Sequence, residues 1–150
     1  MHKLRIYIDT SVIGGCFDEE FAEWSNQLFD EFIEGKKIAV ISDIIIDELS
    51  RASVKVREKI KEIPDEYIEI VMRTDETVQL AKSYIESDAL SNKSTDDALH
   101  IAAATIARVD VLASWNFKHI VNLRRIQIFN SVNMINGFQM IEIRSPREVL

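Results

Sequence analysis

The sequence has very little cysteine, glycine or proline: among its 150 residues there are one cysteine, four glycines and two prolines. The single thiol, Cys16, excludes a disulfide within the chain, and the opening residues MHKLRIYID carry charges where a secretory signal needs an uninterrupted apolar run. No apolar stretch approaches the roughly 20 residues that a membrane span requires. These absences predict a cytoplasmic protein without a membrane segment.

Positive charge is also scarce, since 18 lysines and arginines stand against 25 aspartates and glutamates, for a formal net charge of −7. This balance disfavours nucleic-acid binding over the whole surface, but it is compatible with an acidic metal site or a basic partner. The hydrophobic content of 47% is that of a globular protein, and the sequence shows no repeat or linker. We therefore expect a single domain over residues 1–150, with its clearest break in the polar segment 91–94.

Short runs of β-branched residues predict strands over residues 4–8, 37–41, 109–113, 126–129 and 140–143. Two segments between them show helical spacing: one has apolar residues from Phe21 to Ile33 and stops at Gly35, and the other runs from Val78 to Ile85. Strands that alternate with helices predict an α/β fold, in which helices cover both faces of a mostly parallel sheet of about five strands.

Glu48 occupies a position that is unfavourable for a carboxylate. On a short helix opened by Ser42, at about 100° per residue, it falls inside the apolar arc of Ile44, Ile45 and Leu49. An ionised carboxylate against a protein core is destabilising by several kcal/mol unless a cation or hydrogen-bond donors meet it. The sequence therefore predicts a specific binding partner for Glu48.

Other polar residues are expected at the same edge of the sheet. Asp9 directly follows the first strand, Asn116 follows the third, and Asp97 lies near the start of the helix that leads into the third strand. Ligand sites of parallel α/β sheets lie beyond the carboxyl ends of the strands, so these side chains should converge with Glu48. Three carboxylates and one amide suit Mg²⁺ or Mn²⁺ held partly by water.

Three of these residues also have ordinary structural interpretations, which stay open. Asp9 is a favourable N-cap for the next helix. Ser94 and Asp97 match a capping box, in which Ser94 begins the helix and Asp97 reaches back. Asn116 suits a turn after a strand.

The histidines and the nearby basic residues carry weaker signals. We assign His100 and His119 to packing or surface positions, because no second histidine or cysteine stands at zinc-ligand spacing. Lys118, Arg124 and Arg125 follow Asn116 and are candidates for a basic rim around the acidic crevice.

Four segments, taken in order, resemble the PIN-domain nucleases and, among them, the single-domain VapC-type toxins. They are IYIDTSVIGG at the first strand, ISDIIIDELSRA around Glu48, TDDALHIAAATIARVDVLASWNFKHI over residues 95–120, and the closing MIEIRSP. Together they span almost the whole chain in the order and spacing of that family.

The resemblance implies a three-layer α/β/α fold and metal-assisted hydrolysis of RNA phosphodiester bonds with one or two Mg²⁺ or Mn²⁺ ions. The three acidic ligands of the family fall on Asp9, Glu48 and Asp97, with Asp96 as second choice for the third. Thr10 or Ser11 matches a hydroxyl beside the first ligand. The fourth acidic position falls on Asn116, a departure that puts tight binding of a second ion in doubt.

The resemblance also implies partners. A VapC-type toxin is expected to form a homodimer and to bind a small antitoxin, whose tail places a basic side chain in the acidic crevice. Two other functions remain open. A catalytically weak or inactive PIN-like protein would act by binding, and a phosphoryl-transfer enzyme would use Asp9 as nucleophile, although the haloacid-dehalogenase pattern requires an aspartate where Ser11 stands.

Overall fold

The computed structural model describes residues 2–87 and 92–150. In chain order its elements are β1 (Arg5–Ile8), α1 (Thr10–Gly15), α2 (Ala22–Ile33), β2 (Ile38–Ser42), α3 (Asp43–Leu49), α4 (Val54–Lys59), β3 (Ile68–Val71), α5 (Asp75–Glu86), α6 (Thr95–Ile106), β4 (Val111–Ala113), α7 (Leu123–Ile135) and β5 (Ile143–Arg144). In the predicted polar break 91–94, Ser91 lies outside the described residues and Asn92–Ser94 form a 3₁₀ turn before α6. No described helix is long and apolar enough to cross a membrane.

The five strands form a parallel sheet in the order β3-β2-β1-β4-β5. Because successive side chains of a strand point to opposite faces, Tyr7 of β1 packs into one core while Ile6 and Ile8 pack into the other. The first core contains α5, α6 and α7, and the second contains α1 and α2. The predicted three-layer α/β/α fold is confirmed.

The two helices predicted from their apolar spacing are present. The first corresponds to α2, and beyond it Gly35 adopts a φ of 74°, the left-handed conformation that commonly ends a helix. The second corresponds to α5, where Thr74 caps the helix by accepting a hydrogen bond from the Thr77 backbone N–H.

The strand predictions were correct in the centre of the sheet and failed at its edges. Residues 126–129 lie within α7, so the strand predicted there is wrong. The edge strand β3 was missed because it is only partly buried, with Ile70 exposed. The last strand begins at Ile143, so only the final residue of the predicted 140–143 segment belongs to it.

β1 lies in the middle of the sheet, with β2 on one side and β4 on the other, so the chain adds strands to one side of β1 first and to the other side later. The chain leaves β1 towards α1 and leaves β4 towards α7, so a crevice opens between the two strand ends. In open α/β sheets, this switch point is where ligands bind. Asp9 and Asn116 lie directly beside it.

Candidate active site

Asp9 lies at the carboxyl end of β1 and begins α1. Its Oδ1 accepts hydrogen bonds from Ser11 Oγ at 2.5 Å and from the Val12 backbone N–H at 3.3 Å, so the predicted N-cap role is confirmed. Its Oδ2 accepts a hydrogen bond from Ser114 Oγ at 2.6 Å. Burial raises the pKa of Asp9, although the charge of His100 and these hydrogen bonds oppose the shift.

Glu48 projects from α3 and has its side chain 23% exposed. Its Oε1 accepts hydrogen bonds from Thr10 Oγ1 at 2.8 Å and from His100 Nε2 at 2.6 Å. Burial would raise the pKa of Glu48, but the hydrogen bond and charge of His100 outweigh it and lower the pKa. Thr10 and His100 are therefore the protein partners of the carboxylate that the sequence placed against the core.

His100 is buried, as its assignment to packing required, but its ring also contacts the acidic residues. Its Nδ1 lies 2.7 Å from the Tyr7 hydroxyl while Nε2 contacts Glu48. Burial opposes a charged imidazole, yet the hydrogen bond to Glu48 and its charge raise the pKa of His100. A sequence signal existed, because His100 stands three positions after Asp97 and so shares its helix face.

Asp97 and Asp96 are distinguished by their exposure: Asp97 is half-buried and Asp96 is exposed. Ser94 is the N-cap of α6, as the capping-box interpretation required, but its side chain makes no capping bond, so the capping box itself is wrong. Burial and the negative charge of Asp9 raise the pKa of Asp97. The Asn116 amide donates a long hydrogen bond of 3.4 Å to Asp97 Oδ2.

Asn116 also forms the turn that was its alternative interpretation. Its Oδ1 accepts a hydrogen bond from the His119 backbone N–H at 2.9 Å, and its own backbone N–H donates to Ser114 Oγ at 3.0 Å. A carbonyl oxygen has two lone pairs, so Oδ1 retains one for a further donor or for a cation.

We call Asp9, Glu48 and Asp97 the acidic cluster. The two hydroxyl residues that follow Asp9 both donate hydrogen bonds to it. Thr10 donates to Glu48, whereas Ser11 donates to Asp9 and accepts the backbone N–H of Trp115 at 2.9 Å. Ser11 therefore joins the end of β1 to the segment after β4. Hydrogen bonds join Asp9 to Ser11, Glu48 to Thr10 and Asp97 to Asn116, and the charges of Asp9 and Glu48 act on Asp97.

The chemistry of this donor set fits a hard divalent cation. Within residues 2–87 and 92–150, no hydrogen bond reaches Glu48 Oε2 or Asp97 Oδ1, so both carboxylates present an oxygen without a protein partner. Among the same residues, no three His, Cys, Asp or Glu side chains are grouped to hold a metal ion directly. Mg²⁺ is an ion that keeps several waters and binds through only one or two carboxylates.

The basic residues predicted as a rim lie on the segment that follows Asn116. Arg124 and Arg125 line a groove on α7 together with Asn122 and Ile128, and no acidic cluster residue lines it. Lys118 is exposed two residues beyond Asn116.

Comparisons with known proteins agree with the fold. A family model described as PIN domain matches residues 6–116. The chain is similar to the crystal structure of VapBC2 from Rickettsia felis bound to a DNA fragment from their promoter, with a TM-score of 0.57 and 14% identity over 95% of this chain and 98% of that one. It is also similar to VapC20 of Mycobacterium tuberculosis, described as a Sarcin-Ricin loop cleaving toxin, with a TM-score of 0.52 and 12% identity over 76% of this chain and 92% of that one. Comparison with curated proteins gives no match.

Proposed function

The chain belongs to the PIN domain family, and from this premise we propose that it is a metal-dependent endoribonuclease, the toxin of a toxin–antitoxin pair. The observation that supports the proposal is that the negative charges of Asp9 and Glu48 act on the half-buried Asp97 beside the switch point of the sheet. Burial and mutual repulsion make these carboxylates unfavourable neighbours unless positive charge offsets them. The hydrogen bond from His100 to Glu48 offsets part of this cost, and a divalent cation would offset the rest.

Asp9, Glu48 and Asp97, with Asn116 as the fourth member, are the proposed holders of one or two Mg²⁺ or Mn²⁺ ions. A bound ion would offset charge on the phosphate and lower the pKa of the water that attacks it. Ser11 and Ser114 fix the orientation of Asp9, and Thr10 fixes that of Glu48. The chain thus orders its acidic groups through hydroxyl donors before any substrate arrives.

RNA is the proposed substrate, as the resemblance to VapC-type toxins implies, and one structural neighbour is described as a Sarcin-Ricin loop cleaving toxin. Lys118 and Arg124 are exposed on the segment that follows Asn116, and Arg125 lines the same groove as Arg124. These three side chains are the proposed contacts for phosphates that flank the cleaved bond.

One proposed partner is a small antitoxin, because a crystal structure of VapBC2 is among the structural neighbours. The other proposed partner is a second copy of the chain, as the resemblance to VapC-type toxins implies. An antitoxin arginine would satisfy the acidic cluster in place of metal. We propose that residues 1–150 form one cytoplasmic domain.

Expression of this chain alone should be toxic, and co-expression with an adjacent small reading frame should relieve the toxicity. Harmless expression of the chain alone would count against the toxin assignment.

The catalytic proposal is tested by neutralising the carboxylates one at a time. Asp9→Asn, Glu48→Gln and Asp97→Asn should each lower Mn²⁺-dependent cleavage of a structured RNA by at least about tenfold, because each removes a charge on which metal binding depends. Circular dichroism checks that the fold persists.

Asp96→Asn is the matched control, since it removes the same charge from an exposed side chain next to Asp97. It should retain cleavage. Equal loss in Asp96→Asn and Asp97→Asn would withdraw the site assignment. Wild-type protein that binds RNA but never cleaves it would favour the PIN-like binding protein instead.

A further inference from the structure

A chain of hydrogen bonds runs from β2 to α3 through the core behind the acidic cluster. Ser42 Oγ lies 2.7 Å from the Tyr7 hydroxyl, that hydroxyl lies 2.7 Å from His100 Nδ1, and His100 Nε2 lies 2.6 Å from Glu48 Oε1. The four residues come from β2, β1, α6 and α3, so the chain ties together elements that are distant in sequence.

Packing fixes the orientation of the imidazole. Tyr7 is fully buried, His100 is 2% exposed, and the two rings meet edge to face with centroids 5.7 Å apart. Because a carboxylate can only accept a hydrogen bond, Nε2 carries the proton shared with Glu48. A flip of the ring would lose the contacts of both nitrogen atoms.

Both ring nitrogens are therefore engaged, which leaves His100 no lone pair for a metal ion. Its effect falls on Glu48 instead. Oε1 of Glu48 accepts two hydrogen bonds, from Thr10 and His100, while no described residue donates to Oε2. One oxygen is held by the protein, and the other has no donor among the described residues.

We infer that His100, held by Tyr7, is a positioning residue that fixes Glu48 as a one-oxygen ligand for the divalent cation of the proposed nuclease. This rests on the proposed function. Groups that orient metal ligands through a hydrogen bond commonly change metal affinity by about 10–100-fold when removed.

The test is calorimetric titration of Mn²⁺ into chelator-treated protein without RNA. His100→Leu removes the donor and should weaken Mn²⁺ binding by about 10–100-fold. His100→Gln places an amide donor near the position of Nε2 and should restore most of the affinity. Tyr7→Phe keeps the aromatic ring but releases the imidazole, and should weaken binding by a smaller factor.

Two controls separate positioning from a general effect on folding. Tyr84→Phe also removes the hydroxyl of a buried tyrosine, which donates to Asn133 at 2.5 Å, and it should leave Mn²⁺ affinity unchanged. In a Glu48→Gln background, adding His100→Leu should cause little further loss, because His100 acts through the Glu48 carboxylate.

The possible results separate the positioning role of His100 from the nuclease proposal. Unchanged Mn²⁺ affinity in folded His100→Leu protein overturns the positioning role while the nuclease proposal stands. An equal loss in the Glu48→Gln background also overturns it. If His100→Leu does not fold, Tyr7→Phe and His100→Gln decide, and equal affinity of Tyr7→Phe and wild type then rejects the role. A wild-type protein that binds no Mn²⁺ removes the proposed function and this inference together.

Discussion

At the scale of single residues, Asn116 joins a backbone turn to the acidic cluster. Its Oδ1 accepts from the His119 N–H, and its amide nitrogen faces Asp97 Oδ2 at 3.4 Å. The resemblance to the PIN pattern implies another carboxylate at this position, and the amide places a donor there instead. That substitution reduces the negative charge of the site without changing the size of the side chain.

Asn116→Asp should tighten Mn²⁺ binding, most visibly for a second ion, because it adds a negative charge opposite Asp97. One new oxygen can keep the bond to the His119 N–H, and the other meets Asp97 as a like charge. In chelator the variant should therefore melt at a lower temperature than wild type. Calorimetric Mn²⁺ titration and thermal denaturation measure the two effects.

Asn122→Asp is the matched control for Asn116→Asp. Asn122 also uses Oδ1 to accept a backbone N–H, that of Arg125 at 3.3 Å, but it caps α7 outside the acidic cluster. It adds the same charge and should leave the Mn²⁺ isotherm unchanged. Identical isotherms for Asn116→Asp and wild type would reduce Asn116 to its turn.

Residue-level prediction succeeded where a local pattern determines the position of a side chain. Asp9 follows a strand and begins a helix, so both its cap and its place at the sheet edge could be predicted. The spacing of apolar residues along α3 predicted that Glu48 lies against the core. The contact between His100 and Glu48 spans 52 residues and depends on how α3 and α6 pack, which no local pattern specifies.

At the scale of elements, α1 positions the first part of the site because Asp9 caps it and Ser11 lies in its first turn. Its other end packs closely against α2 and Trp115. A Cβ on Gly15 would lie 2.6 Å from Ser25 Oγ and 2.7 Å from Trp115 Nε1. Those two atoms are themselves hydrogen-bonded at 2.8 Å, so neither is free to move away.

Gly15→Ala should therefore lower the free energy of unfolding by about 1–3 kcal/mol, the usual cost of overpacking. Gly14→Ala is the control, since a Cβ there meets nothing within 4 Å. It should be neutral or slightly stabilising, because alanine favours a helix more than glycine does. Urea denaturation monitored by tryptophan fluorescence compares the two, and equal stabilities would show that α1 can shift away from α2.

Sequence reasoning failed at the two edge strands and at one segment of α7, for different physical reasons. β1, β2 and β4 lie inside the sheet, and their long apolar runs reflect burial on both faces. β3 and β5 are edge strands with fewer buried side chains, so their signal is weak. The run from Ile126 to Phe129 has strand-like composition, but its burial belongs to one face of α7, which hydrophobicity over four residues cannot distinguish.

At the scale of the whole molecule, a net charge of −7 opposes the approach of RNA, and the acidic cluster adds a local repulsion at the crevice. These two effects differ in range. Net charge acts over the whole surface and is screened by salt, whereas a carboxylate inside the crevice would act on any phosphate that entered it. A metal ion in the crevice would offset most of the local negative charge while leaving most of the surface negative.

The local effect predicts how RNA binding depends on Asp97 when no metal is present. In chelator, where cleavage cannot proceed, Asp97→Asn should bind a short RNA about fivefold more tightly than wild type, since two like charges about 4 Å apart in water repel by about 1 kcal/mol. Asp96→Asn changes the net charge equally from an exposed position and should have a much smaller effect. Fluorescence anisotropy at fixed ionic strength measures all three affinities.

Adding Mn²⁺ should raise the wild-type affinity more than that of Asp97→Asn, because the ion offsets the charge that the substitution removes. If the two variants bind RNA equally in chelator, net charge alone governs the approach of RNA and phosphate does not enter beside Asp97.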